Sequence, residues 1–199
     1  MSRHFLFVHV NEWALFRSSD TLPISLGYIL SVLKKYGYDG EIIGEFKDRP
    51  LSPGRFQERL AALQPLLIGF TTYAENIDRV RFWASLAKHL QPEIPIILGG
   101  SQITFMPKEA LLQLPEIDFL CRGDGEIVMP ELARVLSNGG DFKKVPGISY
   151  LADGKPVETS KVELPEDLDA LPSPYLDNTL DVSSREKAIH FFKLGLTSA

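Results

Sequence analysis

The sequence has little of what several common classes of protein require. Only one of its 199 residues, Cys121, is a cysteine, which excludes an internal disulfide and a cysteine-based zinc or iron–sulfur site within one chain. No apolar run approaches the roughly 18 residues that cross a bilayer. Residues 1–4 lead into a short apolar run without a cleavage-site pattern, so we expect no signal peptide and a cytoplasmic, reducing location.

Basic charge and the common catalytic motifs are missing as well. Lys and Arg number 21 against 26 Asp and Glu, a formal net charge of −5, so sequence-independent nucleic-acid binding is not expected. The glycines at 123 and 125 do not extend to a GxGxxG fingerprint, because Val128 stands at the third position. No GxxxxGK[ST] loop or GxSxG elbow is present and the four histidines are scattered, so we predict no catalytic residue and no metal ligand.

What the chain does have is an alternation of short apolar runs with longer amphipathic stretches. Five runs predict strands, the longer ones buried on both faces: residues 4–10, 41–44, 66–71, 96–98 and 117–121. Apolar residues at helical spacing predict the helices between and after them: about 23–36, 56–64, 76–91, 108–114 and 126–138. Strands that alternate with helices form a parallel sheet covered on both faces, because each crossover needs a helix.

The predicted fold is therefore α/β, a doubly wound five-stranded parallel sheet with the flavodoxin-like order 2-1-3-4-5. We assign residues 1–144 to this domain and residues 145–199 to a small hairpin, a linker and a tail. The hairpin is predicted to turn at Asp153-Gly154. Residues 164–175 contain three prolines among acidic residues, which is typical of an extended linker.

Ligands of such sheets bind beyond the carboxyl ends of the strands, where the strand order reverses. Three loops predicted to lie there carry the candidate ligand-binding residues: Thr71, Thr72 and Tyr73; Gly99, Gly100 and Ser101; and Gly123, Asp124, Gly125 and Glu126. Glycines let a ligand approach the backbone, and hydroxyls donate hydrogen bonds to it. Each loop also has a structural interpretation, as a helix cap, a tight turn or an acidic helix start. The residues alone leave both interpretations open.

Several of these segments, taken in order, resemble the N-terminal cobalamin-binding domain of radical-SAM proteins. Residues 94–104 are similar to a hydrophobic strand followed by GGxHxT, Pro107-Lys108-Glu109 to a Pro-Glu pair, and residues 117–126 to IDxxxxGEGE. Residues 23–30 resemble that family's first helix, and residues 171–175 its exit toward a catalytic barrel. The resemblance covers about residues 5–177.

The resemblance implies a Rossmann-like domain that holds cobalamin and is not catalytic alone. Carried over by position, Thr71, Thr72, Gly99, Gly100 and Ser101 would line the slot for the cofactor's nucleotide tail, and residues 123–126 would border it. The DxHxxG motif that supplies a cobalt-binding histidine is absent, since the nearest frame, Phe7-x-His9-x-x-Glu12, lacks its Asp and Gly. No protein histidine is therefore expected on cobalt.

The family's CxxxCxxC motif for a 4Fe–4S cluster is also missing. S-adenosylmethionine and the cluster are accordingly implied only for a parent protein, and the chain is similar to a binding domain cut before the barrel. Two alternatives remain from other classes. One is a flavin- or nucleotide-binding protein that uses the same crevice, and the other is a ligand-free interaction domain whose loop from Trp13 to Phe16 docks a partner.

Overall fold

The computed structural model describes residues 3–10, 23–46, 50–163 and 167–180. The strands are β1 His4–His9, β2 Asp39–Gly44, β3 Leu67–Thr71, β4 Ile96–Gly99, β5 Phe119–Cys121, β6 Ile148–Ala152 and β7 Lys155–Glu158. The α-helices are α1 Ile24–Lys35, α2 Pro53–Leu63, α3 Ile77–Leu90, α4 Ser101–Thr104 and α5 Gly125–Asn138, with 3-10 helices at Lys108–Gln113, Phe142–Lys144 and Leu168–Ala170. The loop from Trp13 to Phe16 lies outside the described residues.

The described strands form one sheet with the order β2-β1-β3-β4-β5-β6-β7. The first five are parallel in the predicted order. The prediction of a five-stranded sheet was wrong, because β6 pairs antiparallel with β5 and β7 pairs antiparallel with β6. The hairpin covers the edge that β5 would otherwise expose. It turns at Asp153 and Gly154, both with positive φ, as predicted.

The sheet buries side chains on both faces, because alternate residues of each strand point in opposite directions. Leu6 and Val8 of β1 belong to one apolar core, which packs under α2 and α3. Phe5 and Phe7 belong to the other, which packs under α1 and α5. The nearly continuous apolar runs of the sequence follow from this double burial. Across the described residues, no helix is long and apolar enough to cross a membrane.

Arg122, directly after β5, joins the hairpin to the rest of the sheet. Its Nε donates a hydrogen bond to the Ser149 hydroxyl at 2.6 Å, and the same atom lies 3.2 Å from a carboxylate oxygen of Glu158. Its Nη1 donates to the Thr104 carbonyl of α4 at 3.3 Å. Ser149 is fully buried. One side chain therefore connects both hairpin strands to α4.

Within the predicted linker, residues 164–166 lie outside the described residues, and the remainder contains a 3-10 helix at Leu168–Ala170 and the start of a turn at residue 174. Residues 174–178 form turns, and in this segment the Leu176 N–H donates to the Ser173 carbonyl and the Leu180 N–H to the Pro174 carbonyl. Leu180 is only 5% exposed and packs against Gly27 of α1. The prolines limit the backbone but do not prevent turns, because they pre-set φ for turn positions.

Replacement of Arg122 tests its role in the hairpin. We expect Arg122→Ala to lower the free energy of unfolding by about 2–3 kcal/mol, because it leaves the buried Ser149 hydroxyl without its charged partner. Arg134→Ala is the control, since Arg134 pairs with Glu131 on an exposed helix surface, where such pairs contribute at most about 1 kcal/mol. Urea denaturation measures both. Equal losses in the two variants would contradict the assignment.

Candidate functional site

A crevice of about 530 Å³ opens at the carboxyl ends of β1, β3, β4 and β5. It lies on the α1 and α5 side of the sheet, at the point where the strand order reverses, as the topology predicts. The structure brings nine of the ten predicted site residues into its lining: Thr71, Tyr73, Gly99, Gly100, Ser101, Gly123, Asp124, Gly125 and Glu126. Thr72 is the exception. It is fully buried, and its N–H donates to the Gly99 carbonyl at 2.7 Å.

Two glycines on neighbouring strands, Gly69 and Gly99, lie in the floor of the crevice. Gly69 of β3 lies between Phe7 of β1 and Ile97 of β4 in the sheet register, and the Phe7 ring covers its bare Cα. Gly99 at the end of β4 is different. The nearest atom to a Cβ built there is the Cys121 Cβ at 3.7 Å, an ordinary contact, so a longer side chain would extend into the crevice.

Gly100 and Gly123 are required by the backbone itself. Both have positive φ, at 104° and 94°, a region that other residues rarely adopt. A Cβ on Gly100 would lie 2.5 Å from the Thr72 carbonyl oxygen. The tight-turn interpretation therefore holds for Gly100, whereas Gly99 has no such structural need. The two members of the pair have separate roles.

Asn76 organises the loop after β3, and sequence reasoning missed it. Its buried side chain accepts a hydrogen bond from the Tyr73 N–H at 2.8 Å and donates to the carbonyls of Thr71 and Val10 at 3.2 and 3.0 Å. The loops after β1 and β3 are thereby tied together beside the crevice. An Asn three residues after Tyr73 was the available signal, since Asn side chains often hydrogen-bond nearby backbone.

The start of α5 closes the crevice on the side of α1. A Cβ on Gly125 would lie 2.5 Å from the Cδ1 of Ile29, so this glycine allows the two helices to approach closely. The half-buried Glu126 follows it. Burial raises the pKa of the Glu126 carboxyl, and the charge of Asp124 raises it further, against a backbone hydrogen bond that lowers it. Negative charge is therefore disfavoured at this position.

Apolar side chains form most of the remaining lining. Sequence reasoning assigned most of them to the core or did not single them out: Phe7, Leu26, Ile29, Ile97, Phe105 and Met129. The same apolar periodicity predicts either role, so no sequence signal separated them. Cys121 also lines the crevice, and burial raises its pKa to about 12, followed by the effect of Glu126 and Asp124. Its thiol is therefore neutral and a poor nucleophile.

No histidine in the described ranges lines the crevice. His9 lies at the end of β1, where its ring stacks on Phe46 with the ring centres 5.6 Å apart. His4 begins the same strand, at the opposite end from the crevice. His89 lies on the exposed surface near the end of α3. His190 lies outside the described residues.

These features define a class of protein. It is a doubly wound α/β domain whose ligand crevice lies at the carboxyl ends of the strands, where the strand order reverses, and has glycines in its floor. Residues 17–133 match the family model described as B12 binding domain. The chain belongs to this family and is a cobalamin-binding domain. The match gives no support to the alternative of flavin or nucleotide binding.

Known relatives include longer enzymes. The chain is 34% identical over 172 residues to the anaerobic magnesium-protoporphyrin IX monomethyl ester cyclase of Rubrivivax gelatinosus, covering 83% of this chain and 31% of that protein. It is 28% identical over 205 residues to the cobalamin-dependent radical SAM methyltransferase TokK of Streptomyces tokunonensis, covering 98% and 28%. The chain therefore spans about a third of the length of these relatives.

A solved structure has the same fold. It is the radical S-adenosylmethionine methyltransferase TsrM from Kitasatospora setae with cobalamin and a 4Fe–4S cluster bound, which matches with a TM-score of 0.70 at 22% identity. The match covers 87% of this chain and 31% of that one.

The raised pKa of Glu126 has a consequence for stability. Between the unfolded value of about 4.3 and its higher folded value, the folded state binds more protons, so wild-type stability falls as pH rises. We expect Glu126→Gln to be the more stable protein at pH 7, by less than about 1 kcal/mol because the side chain is half exposed. The gain disappears below the unfolded pKa.

Urea denaturation at pH 4 and pH 7 measures the difference. Glu131→Gln is the matched control, because Glu131 lies on the exposed side of α5 beside Arg134 and its replacement should give no gain at pH 7. A Glu126→Gln protein that is less stable than wild type at pH 7 would show that the carboxylate is favoured instead.

Proposed function

We propose that the crevice holds the nucleotide tail of cobalamin against the sheet, with the bare backbone at Gly99 as its floor. The observation that carries this proposal is that Gly99 lines the crevice and a Cβ there would make only an ordinary contact, 3.7 Å from the Cys121 Cβ. A nucleotide tail combines apolar ring faces with a polar sugar and phosphate. It needs a mostly apolar slot with a few donors, and the crevice has this composition.

Each group of residues in the lining has a separate role in this proposal. Phe7, Ile97 and Ile29 supply apolar walls. Thr71 and Ser101 contribute hydroxyls, and the Gly100 turn brings backbone groups close to a ligand without an intervening side chain. Thr72 has an indirect role, since its N–H holds the Gly99 carbonyl and its carbonyl packs on Gly100.

We further propose that no histidine of this domain binds cobalt. The absence of the DxHxxG motif supports this proposal. The position of His9 also supports it, since its ring stacks on Phe46 and lies outside the crevice lining. Cobalamin in such proteins supplies methyl transfer or radical rearrangement, while the protein binds and orients it.

The domain is proposed to act within a larger radical-SAM protein, most simply a methyltransferase. The length of the relatives supports this, since the chain spans about a third of them. With one cysteine in its 199 residues, the chain lacks the ligands for a 4Fe–4S cluster, so that cluster and S-adenosylmethionine would belong to another domain. The division into residues 1–144 and 145–199 stays part of this proposal.

Replacement of Gly99 by valine tests the proposed floor. Valine suits a strand, and a Cβ at this position makes only ordinary contacts, so we expect thermal stability to change little. Its methyl groups would occupy the crevice and weaken hydroxocobalamin binding by more than about tenfold, equivalent to about 1.4 kcal/mol. Spectral titration of the full chain measures the affinity.

Gly54→Val is the matched control, because Gly54 lies in α2 with nothing within 4 Å of a built Cβ. It should leave the affinity unchanged. Gly100→Val is unsuitable, since its clash with the Thr72 carbonyl threatens the fold itself. Unchanged affinity in a folded Gly99→Val protein would contradict the proposed floor. A wild-type chain that binds FMN and not hydroxocobalamin would restore the flavin alternative.

The proposal about cobalt has its own spectroscopic test. We expect His9→Gln to leave the absorption and electron paramagnetic resonance spectra of bound cob(II)alamin unchanged, without nitrogen splitting from a protein imidazole. His89→Gln on the exposed surface of α3 is the control. A nitrogen splitting that appears in wild type and disappears in His9→Gln would show that His9 binds cobalt.

A further inference from the structure

Helix α1 has a third face that neither the core nor the crevice uses. Its core face carries Leu30 and Leu33, and its crevice face carries Leu26 and Ile29. The remaining residues that make specific contacts recur at helical spacing and form one stripe: Gly27, Tyr28, Ser31, Lys34 and Lys35. Residues three and four apart lie on one side of a helix, so the stripe is a continuous surface.

Residues 170–180, which we call the clasp, cover this stripe along its length. At one end the Lys35 Nζ donates to the Ala170 carbonyl at 3.1 Å, and the Lys34 Nζ donates to the Thr179 hydroxyl at 2.9 Å. At the other end Leu180 packs on the bare backbone of Gly27. Leu180 is 5% exposed, whereas Leu176 in the same segment is 86% exposed. Leu180 therefore anchors this end of the clasp on α1 by an apolar contact.

Electrostatics also favour the docked clasp. Partial burial alone would raise the pKa of the Asp177 carboxyl, but the hydrogen bonds from Thr179 and the charge of Lys34 lower it overall. The carboxylate of the clasp and the ammonium of α1 thus stabilise each other. The Lys34 pair spans two segments that are far apart in the sequence, so it forms only when the clasp is docked.

The clasp and the crevice meet on consecutive residues of α1. Leu26 lines the crevice, Gly27 receives Leu180, and Ile29 lines the crevice again while it contacts Gly125 of the opposite wall. A shift of α1 away from the clasp would therefore move two side chains of the crevice wall. Because protein interiors are close-packed, a shift on the clasp side of α1 also displaces the side chains on its crevice side.

We propose that the clasp is a positioning element that fixes α1 as a wall of the crevice, so that a docked clasp and bound cobalamin stabilise each other. The part of this inference that concerns bound cobalamin rests on the proposed function. Leu180 and Gly27 act here as positioning residues, through α1, without touching the cofactor. Coupling of this kind is reciprocal, so cobalamin must slow opening of the clasp as much as the clasp improves binding.

Gly27→Ala separates the clasp from ordinary helix stability. Alanine is a better helix former than glycine, so without the clasp the change would only stabilise α1. Here the new Cβ would lie 2.6 Å from the Leu180 Cδ1 and force Leu180 away. In the full chain without cofactor we expect faster hydrogen exchange at the Leu180 amide, which is bonded to the Pro174 carbonyl. We expect hydroxocobalamin affinity to fall roughly fivefold or more.

Leu180→Ala removes the same contact by truncating its other partner. It should therefore also accelerate exchange at the amide of residue 180 and weaken hydroxocobalamin binding. Leu176→Ala, at an exposed position, should change neither the exchange rate nor the affinity. The double variant Gly27→Ala with Leu180→Ala should lose less than the sum of the single changes, since the truncated side chain leaves room for the Cβ. In wild type, added hydroxocobalamin should slow exchange at Leu180.

Two results would overturn the inference. If Gly27→Ala leaves Leu180 exchange unchanged, the clasp is not anchored there. If exchange accelerates in both single variants while hydroxocobalamin affinity stays at the wild-type value, the clasp does not position the crevice wall. Failure of the proposed function has a different signature, because wild type and Leu176→Ala would then also fail to bind hydroxocobalamin, and the coupling would be rejected with it.

Discussion

The crevice depends on the spacing between the sheet and the pair of helices above it, and that spacing is set by missing side chains. On β3 the gap above Gly69 is filled by the Phe7 ring, which keeps the floor apolar. On β4 the gap above Gly99 stays open. Between the helices, Gly125 lets the α5 start approach Ile29. Each glycine removes a side chain from a different place, so the volume of the crevice depends on β3, β4 and α5 together.

The other side of the sheet explains why this space can stay open. Leu6, Ile68 and Leu98 are fully buried under α2 and α3, and burial of such side chains stabilises by about 1.5–3 kcal/mol each. The upper part of the α1 and α5 face contributes less packing, because the crevice separates its lining residues from one another. The protein can therefore keep an incompletely packed site on one face while the opposite face provides stability.

The five parallel strands and the crevice loops were predictable, because double burial gives continuous apolar runs and topology places their carboxyl ends together. The extension of the sheet by β6 and β7 was not. The sequence of the hairpin indicates its turn at Asp153-Gly154 but not the strand it joins, because that pairing brings together residues that are distant in the sequence, such as Arg122 with Ser149 and Glu158. The contact between Leu180 and Gly27 could not be predicted from the sequence either, because a glycine within a helix does not indicate which distant residue packs on it.

Helix α1 illustrates why local sequence patterns underdetermine function in this domain. Its apolar residues at 26, 29, 30 and 33 share one periodic face, yet Leu30 and Leu33 belong to the core while Ile29 faces the crevice. Gly27 lies within the same turn and carries a third contact. A helix that is packed against the core on one side and against Leu180 on another has few ways to move without cost, so its position is well defined before any ligand arrives. Such preorganisation favours binding, since less freedom is lost when the ligand is bound.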